Sequence, residues 1–172
     1  MSHDVTSELV LVIGGAASGK SRLAERIALQ QCPRPHYVAT ARAGDAEMAA
    51  KIGRHAARRG DGWTVVEEPG DVAGRLPVLG ARAILLDCAT IWLANRMEAG
   101  RDPAAETARL LRGIGDAGCP VVVVTNELGG GMVPMDAGAR AFRDAHGAMN
   151  QALAAAAGRA VLAVAGLAVE LK

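Results

Sequence analysis

The sequence predicts an α/β fold in which helices cover both faces of a mostly parallel sheet and a pair of strands ends the chain. Continuous apolar runs, typical of strands buried on both faces, alternate with segments of helical periodicity. A glycine-rich turn joins the first apolar run to the first helix. The 172 residues suit one domain, and only four are Phe, Tyr or Trp, so Val, Leu, Ile and Ala must build the core.

Three strands and two helices are predicted in the first part of the chain. Residues 9–13 form a buried strand that ends in a Gly-Gly pair, and a helix runs from Gly19 until two prolines near residue 34 end it. A strand follows at 36–40. Asp45 is expected to cap a second helix that runs to about residue 59, and a third strand is predicted at 63–67.

The later elements continue the alternation. We predict strands at 81–86 and 120–125, a helix at 90–98, and a helix that Asp102 caps and that ends near residue 117. A long helix is expected at 137–157. Two short apolar runs at 160–165 and 168–171 are interpreted as the terminal strand pair.

Composition and charge exclude several classes of protein. Nineteen basic residues nearly cancel eighteen acidic ones, and the net charge of +1 argues against a protein that binds nucleic acid. The longest apolar stretch, 160–169, is about half of the roughly 20 residues that a membrane span needs. The opening residues do not resemble a signal peptide, and three widely spaced cysteines suit neither a disulfide framework nor a zinc site, so we expect a cytoplasmic protein.

One motif indicates nucleotide chemistry. Residues 14–21 fit G-x-x-x-x-G-K-[ST] in full, with a strand before them and a helix after them. In such a loop, backbone N–H groups curve around phosphates, the lysine reaches the β- and γ-phosphates, and the last hydroxyl binds Mg²⁺. The predicted phosphate loop consists of Gly14, Gly15, Ala16, Ala17, Ser18, Gly19, Lys20 and Ser21.

With this loop, we expect the α/β fold to be of the P-loop NTPase type (RecA-like). We expect a flexible tail over residues 1–8 and a single nucleotide-binding domain over 9–172. Asp87 follows a predicted strand and is either a Mg²⁺ ligand or a turn residue. Residues 125–127, Thr-Asn-Glu, stand at the end of another strand and are either ligand-binding or a turn cluster, which the sequence does not decide.

His55 lies on the second predicted helix among Arg54, Arg58 and Arg59. A histidine in a helix is more often a solvated surface residue than a catalyst. Here the arginines suit a triphosphate, and nearby cations lower the pKa of an imidazole, which must be neutral to attack phosphorus. The other histidines, at positions 3, 36 and 146, have no comparable setting.

Several motifs follow one another in an order that resembles a known family. They are GGAASGKSR from residue 14, ATA at 39–41, DAEM at 45–48, IGRH at 52–55, LLDC at 85–88, VTNELG at 124–129, VP at 133–134, FRD at 142–144 and NQ at 150–151. Together they are similar to the bifunctional adenosylcobinamide kinase and adenosylcobinamide-phosphate guanylyltransferase family of cobalamin synthesis. The resemblance spans nearly the whole chain from residue 10.

The resemblance implies two reactions. A nucleoside triphosphate, ATP or GTP, phosphorylates adenosylcobinamide, and GTP then transfers GMP to adenosylcobinamide phosphate through a guanylylated histidine, which matches His55. It also implies Mg²⁺ and a homo-oligomer, a trimer in this family. The catalytic residues would be His55 and Lys20, with Ser21 and Asp87 on the metal; besides the phosphate loop, the implied nucleotide contacts are Ala39, Thr40, Ala41, Ala56, Ala57, Arg58, Arg59, Glu67 and Asp87.

Two alternatives remain at this point. In a P-loop kinase of a single activity, His55 would be a surface residue and Lys20, Ser21 and Asp87 would be the functional residues. A nucleotide-dependent switch or ATPase would need partner surfaces, and the charge pattern disfavours a nucleic-acid partner.

Overall fold

Parallel strands form the centre of the protein, as a computed structural model shows for residues 8–42, 53 and 60–172. One seven-stranded sheet has the order β3-β2-β4-β5-β1-β6-β7, in which only the last pair is antiparallel. The predicted fold class and the terminal strand pair are therefore confirmed. The strands are β1 Leu9–Gly14, β2 His36–Ala39, β3 Thr64–Glu67, β4 Ile84–Asp87, β5 Val121–Asn126, β6 Arg159–Val164 and β7 Leu167–Glu170.

Within the described ranges, helices connect successive parallel strands. Asp102 and Asp136 cap the two longest by accepting hydrogen bonds from the backbone N–H groups of Ala105 and Ala139, both at 2.7 Å. The cap at Asp102 was predicted, whereas the short helix α2 and the 3₁₀ turn after it were not, and β4 begins three residues later than predicted. In the described ranges, the helices are α1 Lys20–Gln31, α2 Val72–Arg75, α3 Ala89–Glu98, α4 Pro103–Gly115 and α5 Ala137–Ala156, with the 3₁₀ turn at Leu76–Val78. Apart from residue 53, the helix predicted from Asp45 to about residue 59 lies outside these ranges.

The core has one layer on each face of the sheet. Even-numbered residues of β1 and β5, such as Val12 and Val124, pack against α1. Odd-numbered residues of the same strands, such as Leu11 and Val123, pack with Trp92 of α3 and with residues of α4 and α5. This alternation fixes which face each side chain at the strand ends belongs to. Within the described ranges, none of the helices combines the length and apolar character needed to cross a membrane.

Candidate nucleotide site

The carboxyl edge of the sheet collects most of the predicted site residues that the structure describes. Gly14 at the end of β1 pairs with Asn126 at the end of β5. Ala39 at the end of β2 pairs with Asp87 on one side and with Glu67 on the other. Open parallel sheets bind ligands at this edge, because the loops that leave the strands form a crevice there.

The start of the phosphate loop packs tightly on the sheet. A Cβ on Gly14 would lie 2.5 Å from Ser18 Oγ and 2.7 Å from the carbonyl oxygen of Ala163 on β6, so only glycine fits. Ser18 is 8% exposed, and its hydroxyl is buried without a hydrogen-bond partner among the described residues. A buried hydroxyl without a partner costs free energy, and a bound phosphate oxygen would satisfy it.

The loop ends at a helix start that is suited to an anion. Gly19 has φ +90°, and among the described residues no side chain caps α1 at this end. The first N–H groups of a helix lack partners inside the helix, and they carry the positive end of its dipole. Lys20 donates a hydrogen bond to the carbonyl oxygen of Gly15 at 3.0 Å, so its ammonium group folds back over the loop. Such a cradle of loop and helix start is suited to binding a phosphate.

Asp87 faces the same side of the sheet as α1. The hydroxyl of Tyr37 donates a hydrogen bond to its Oδ2 at 2.8 Å, which orients the carboxylate. The next residue, Cys88, is influenced by the charges of both Asp87 and Lys20. Burial, with the negative charge of Asp87, raises the pKa of the Cys88 thiol to about 11. The charges of the Asp87 carboxylate and the Lys20 ammonium group therefore both act on this buried thiol.

Thr40 lies at this edge of the sheet with its hydroxyl occupied by the backbone of Cys88. The residue is fully buried; its hydroxyl donates to the carbonyl oxygen of Cys88 at 2.8 Å and accepts from the Cys88 N–H at 2.9 Å. Nδ2 of Asn95 donates a hydrogen bond to the carbonyl oxygen of Thr40 at 2.9 Å. Thr40 thus fastens the end of β2 to the end of β4, while the neighbouring Ala41 is partly exposed and Glu67 is exposed.

The remaining predicted residues lie outside the described ranges. They include the candidate nucleophile and the arginines beside it, so their roles stay predictions. These residues are Arg54, His55, Ala56, Ala57, Arg58 and Arg59.

A buried polar cluster behind the edge was missed by the sequence analysis. Thr90 Oγ1 lies 2.9 Å from Nε2 of His146, and Thr125 donates a hydrogen bond to Oδ1 of Asn150 at 2.7 Å. Burial lowers the pKa of His146, and the charge of Glu127 opposes this shift only in part. The members come from α3, β5 and α5, so no local pattern links them. Thr125 and Asn150 fall within two of the motifs, and His146 and Asn150 are one helical turn apart, but neither signal predicts that the four side chains meet.

The fold is shared with solved structures of low sequence identity. The flagellar accessory protein FlaH from Methanocaldococcus jannaschii has a TM-score of 0.57 at 14% identity, over 96% of this chain and 78% of its own. The RadB recombinase has a TM-score of 0.53 at 22% identity, over 90% and 73% of the two chains. These likenesses confirm the RecA-like P-loop fold.

Sequence comparison is more specific. The family described as cobinamide kinase / cobinamide phosphate guanyltransferase matches residues 10–171. The bifunctional adenosylcobalamin biosynthesis protein CobP of Pseudomonas aeruginosa is 41% identical over 167 residues, which cover 94% of this chain and 96% of that protein. The bifunctional adenosylcobalamin biosynthesis protein CobU of Salmonella typhimurium is 39% identical over an alignment of 181 positions, and this alignment covers 95% of this chain and 99% of that protein.

Proposed function

Because the chain belongs to the cobinamide kinase / cobinamide phosphate guanyltransferase family, we propose that the phosphate loop at the sheet edge serves both of its activities. The enzyme is a transferase of cobalamin biosynthesis. As a kinase it phosphorylates adenosylcobinamide with a nucleoside triphosphate. As a guanylyltransferase it joins GMP from GTP to the resulting phosphate. The cradle around Ser18 and Lys20 is the observation that carries the proposal.

In the kinase step, the acceptor hydroxyl forms a P–O bond to the γ-phosphorus, and the bond from that phosphorus to the β-phosphate oxygen breaks. The hydroxyl proton passes to solvent, and the nucleoside diphosphate leaves. Backbone N–H groups from Gly15 to Ser21 bind the phosphate chain, and Lys20 stabilises the charge that develops on the leaving oxygens. Either ATP or GTP would fit these contacts, since they are made to phosphates alone.

The donor set at this edge suits Mg²⁺. Ser21 lies partly buried in the first turn of α1, and Tyr37 holds one oxygen of Asp87, leaving Oδ1 without a hydrogen bond from the described residues. Mg²⁺ in nucleotide sites takes one or two protein oxygens and completes its shell with phosphates and waters, so a larger acidic cluster is not required. When bound, the ion would neutralise charge on the β- and γ-phosphates.

The guanylyl transfer uses His55 as a nucleophile. Its ring nitrogen bonds to the α-phosphorus of GTP while the bond to the β-phosphate bridge breaks and pyrophosphate leaves. A phosphate oxygen of adenosylcobinamide phosphate then displaces the histidine, which yields adenosylcobinamide-GDP. The arginines at 54, 58 and 59 would balance charge on the leaving pyrophosphate. This step is supported by the family match and by the order of motifs around His55.

We also propose that the enzyme is a homo-oligomer, a trimer by family resemblance, and that it is cytoplasmic. The strand pair β6–β7 leaves an apolar surface exposed, since Val164, Leu167 and Val169 are 51%, 71% and 49% exposed. Val164 is paired with Leu167, so these side chains share one face at the edge of the sheet. A contiguous apolar surface on an edge strand favours association. Light scattering of the purified enzyme would give its mass in solution.

The kinase assignment is tested with Lys20→Met and with Arg26→Met as the matched control. Both residues are cations on α1, but Arg26 is exposed on the second turn, away from the loop. We expect Lys20→Met to lower turnover of adenosylcobinamide with ATP or GTP by at least a hundredfold, with an unchanged unfolding midpoint, and Arg26→Met to match the parent. Full turnover by Lys20→Met would remove the phosphate loop from the mechanism.

A further inference from the structure

Four buried polar side chains, which we call the polar clamp, connect α3 and α5 with the end of β5. They are Thr90, Thr125, His146 and Asn150, and each is no more than 8% exposed. Their hydroxyl, imidazole and amide groups contact one another at 2.7–3.3 Å. None takes part in the reactions described above. Burying so many polar groups is costly unless all are hydrogen-bonded, so the cluster is sensitive to the loss of any member.

The clamp holds both main-chain polar groups of one residue. The N–H of Asn126 donates to Thr90 Oγ1 at 2.8 Å, and the carbonyl oxygen of Asn126 accepts from Nδ2 of Asn150 at 3.0 Å. The neighbouring strand β4 ends at Asp87, whose partner on β5 is Val124, so it has no residue opposite Asn126. Side chains therefore provide the bonds that a strand partner provides elsewhere.

The side chain of Asn126 points to the nucleotide side of the sheet. Thr125 faces α5, where its hydroxyl meets His146 and Asn150. Successive side chains of a strand point to opposite faces, so Asn126 lies on the α1 face with Val124. Its strand runs between β1, which leads into the phosphate loop, and β4, which ends at Asp87.

This position suits a contact to the terminal phosphate. The end of β5 lies between the phosphate loop, which would hold the phosphates, and Asp87, which would hold Mg²⁺, so a γ-phosphate bound there would lie close to Asn126. Asn126 is partly exposed, and among the described residues no hydrogen bond reaches its side-chain amide. An amide N–H₂ can donate to a phosphoryl oxygen without adding charge.

We propose that Asn126 contacts the γ-phosphoryl group in the kinase step, and that Thr90 and His146 are positioning residues which act through its backbone. The inference rests on the proposed kinase function. Burial lowers the pKa of His146, which favours the neutral ring inside the clamp. The clamp fixes the direction of the amide, and rigid support of such donors is what makes them effective in a transition state.

A double-mutant cycle on the whole enzyme tests the proposal. The variants are Thr90→Val, Asn126→Ala and the pair together, with Thr90→Ser to restore the hydroxyl. Thr107→Val is the matched control, since Thr107 is equally buried but donates only within α4, to the carbonyl oxygen of Pro103 at 2.8 Å. The measurements are kcat and KM for adenosylcobinamide with ATP, the amount of active enzyme by titration with a fluorescent GTP analogue, and the urea unfolding midpoint.

We expect Asn126→Ala and Thr90→Val each to lower kcat per active site about 10- to 100-fold with little change in the acceptor KM, and Thr90→Ser to recover most of it. In the Asn126→Ala background, Thr90→Val should lower kcat no further. If the two substitutions lower kcat independently, so that their fold-changes multiply in the double variant, the proposal is overturned. An unchanged kcat in Thr90→Val would overturn it as well. Should Thr90→Val fail to fold, the cycle is repeated with His146→Leu in its place. His146→Gln then serves as the restoring variant, because Gln can place a nitrogen near the position of Nε2.

The parent enzyme and Lys20→Met separate this proposal from the kinase function itself. A parent without kinase activity, or an active Lys20→Met, would contradict the proposed function and this inference with it. If the parent is active, Lys20→Met is inactive and the effects of Thr90→Val and Asn126→Ala multiply, only the proposed role of the polar clamp is overturned, and the kinase function stands.

Discussion

Replacement of Gly19 by alanine should damage both the stability of the fold and its nucleotide affinity. Gly19 has φ +90°, and an added Cβ would lie 3.1 Å from the Cα of Gly166 in the β6–β7 turn. The left-handed backbone alone costs an alanine about 1–2 kcal/mol. To relieve this close contact, the phosphate loop must move away from the β6–β7 turn. The two segments are joined by a hydrogen bond that the N–H of Gly166 donates to the carbonyl oxygen of Ser18 at 2.9 Å. Loss of that bond costs about 1 kcal/mol more.

Gly100→Ala is the matched control. Gly100 has φ +71°, but a Cβ there would meet no atom within 4 Å, so the control carries the backbone cost without the contact. We expect urea unfolding to give a loss of about 2–3 kcal/mol for Gly19→Ala and about 1–2 kcal/mol for Gly100→Ala, so that Gly19→Ala loses about 1 kcal/mol more. Titration calorimetry should show GTP binding at least about tenfold weaker in Gly19→Ala only, since about 1.4 kcal/mol corresponds to tenfold. If Gly19→Ala and Gly100→Ala lose equal stability and Gly19→Ala binds GTP as tightly as the parent, the predicted effect of the contact with Gly166 is wrong.

Three further predictions concern groups elsewhere in the fold. Because burial lowers the pKa of His146, the unfolded chain binds a proton there that the native protein does not, so the free energy of unfolding should fall as the pH drops below about 6.5. His146→Gln should flatten this slope, and an identical pH profile in the variant would contradict the assignment. Cys32, Cys88 and Cys119 are buried free thiols, and burial raises the pKa of Cys88 to about 11, so a chromogenic disulfide reagent at pH 8 should label none of them within minutes in native protein and all three in urea. Rapid labelling of the folded enzyme would show that these sites open. Gly113→Ala should destabilise the protein by about 2 kcal/mol, because the new Cβ would lie 2.4 Å from the carbonyl oxygen of Ala73, whereas Gly115→Ala on the same helix meets no atom within 4 Å and should be neutral or stabilising. Equal stability of the two variants would contradict this close contact between α2 and α4.

Local sequence signals predicted the elements well where they extend over many residues. The four consecutive valines of β5, the Gly-Lys-Ser turn and the Asp102 cap each specify their own structure. The helix Val72–Arg75 was missed because four residues are too few to display helical periodicity. The start of β4 was predicted too early, because Ala81 and Ala83 are apolar but precede the point where the strand finds its partners.

The phosphate loop was the part of the candidate site that the residues themselves predicted most directly. The phosphate loop is one continuous segment, so its chemistry can be recognised before the fold is known. The polar clamp joins residues 21 to 56 positions apart, and its members are ordinary in their local context. Thr40 was expected beside the nucleotide, but its hydroxyl is satisfied by Cys88, a contact between two strands that no spacing in the sequence indicates.

The proposed function requires that one chain transfers both a phosphoryl and a guanylyl group, the latter through His55. Incubation of the enzyme with Mg²⁺ and GTP labelled on the α-phosphate tests it most directly. We predict a covalent label that is stable to base and labile to acid, as a phosphoramidate is, that is absent with γ-labelled GTP and that is lost in His55→Ala. A parent enzyme that remains unlabelled, or a His55→Ala variant that is labelled equally well, would contradict the account.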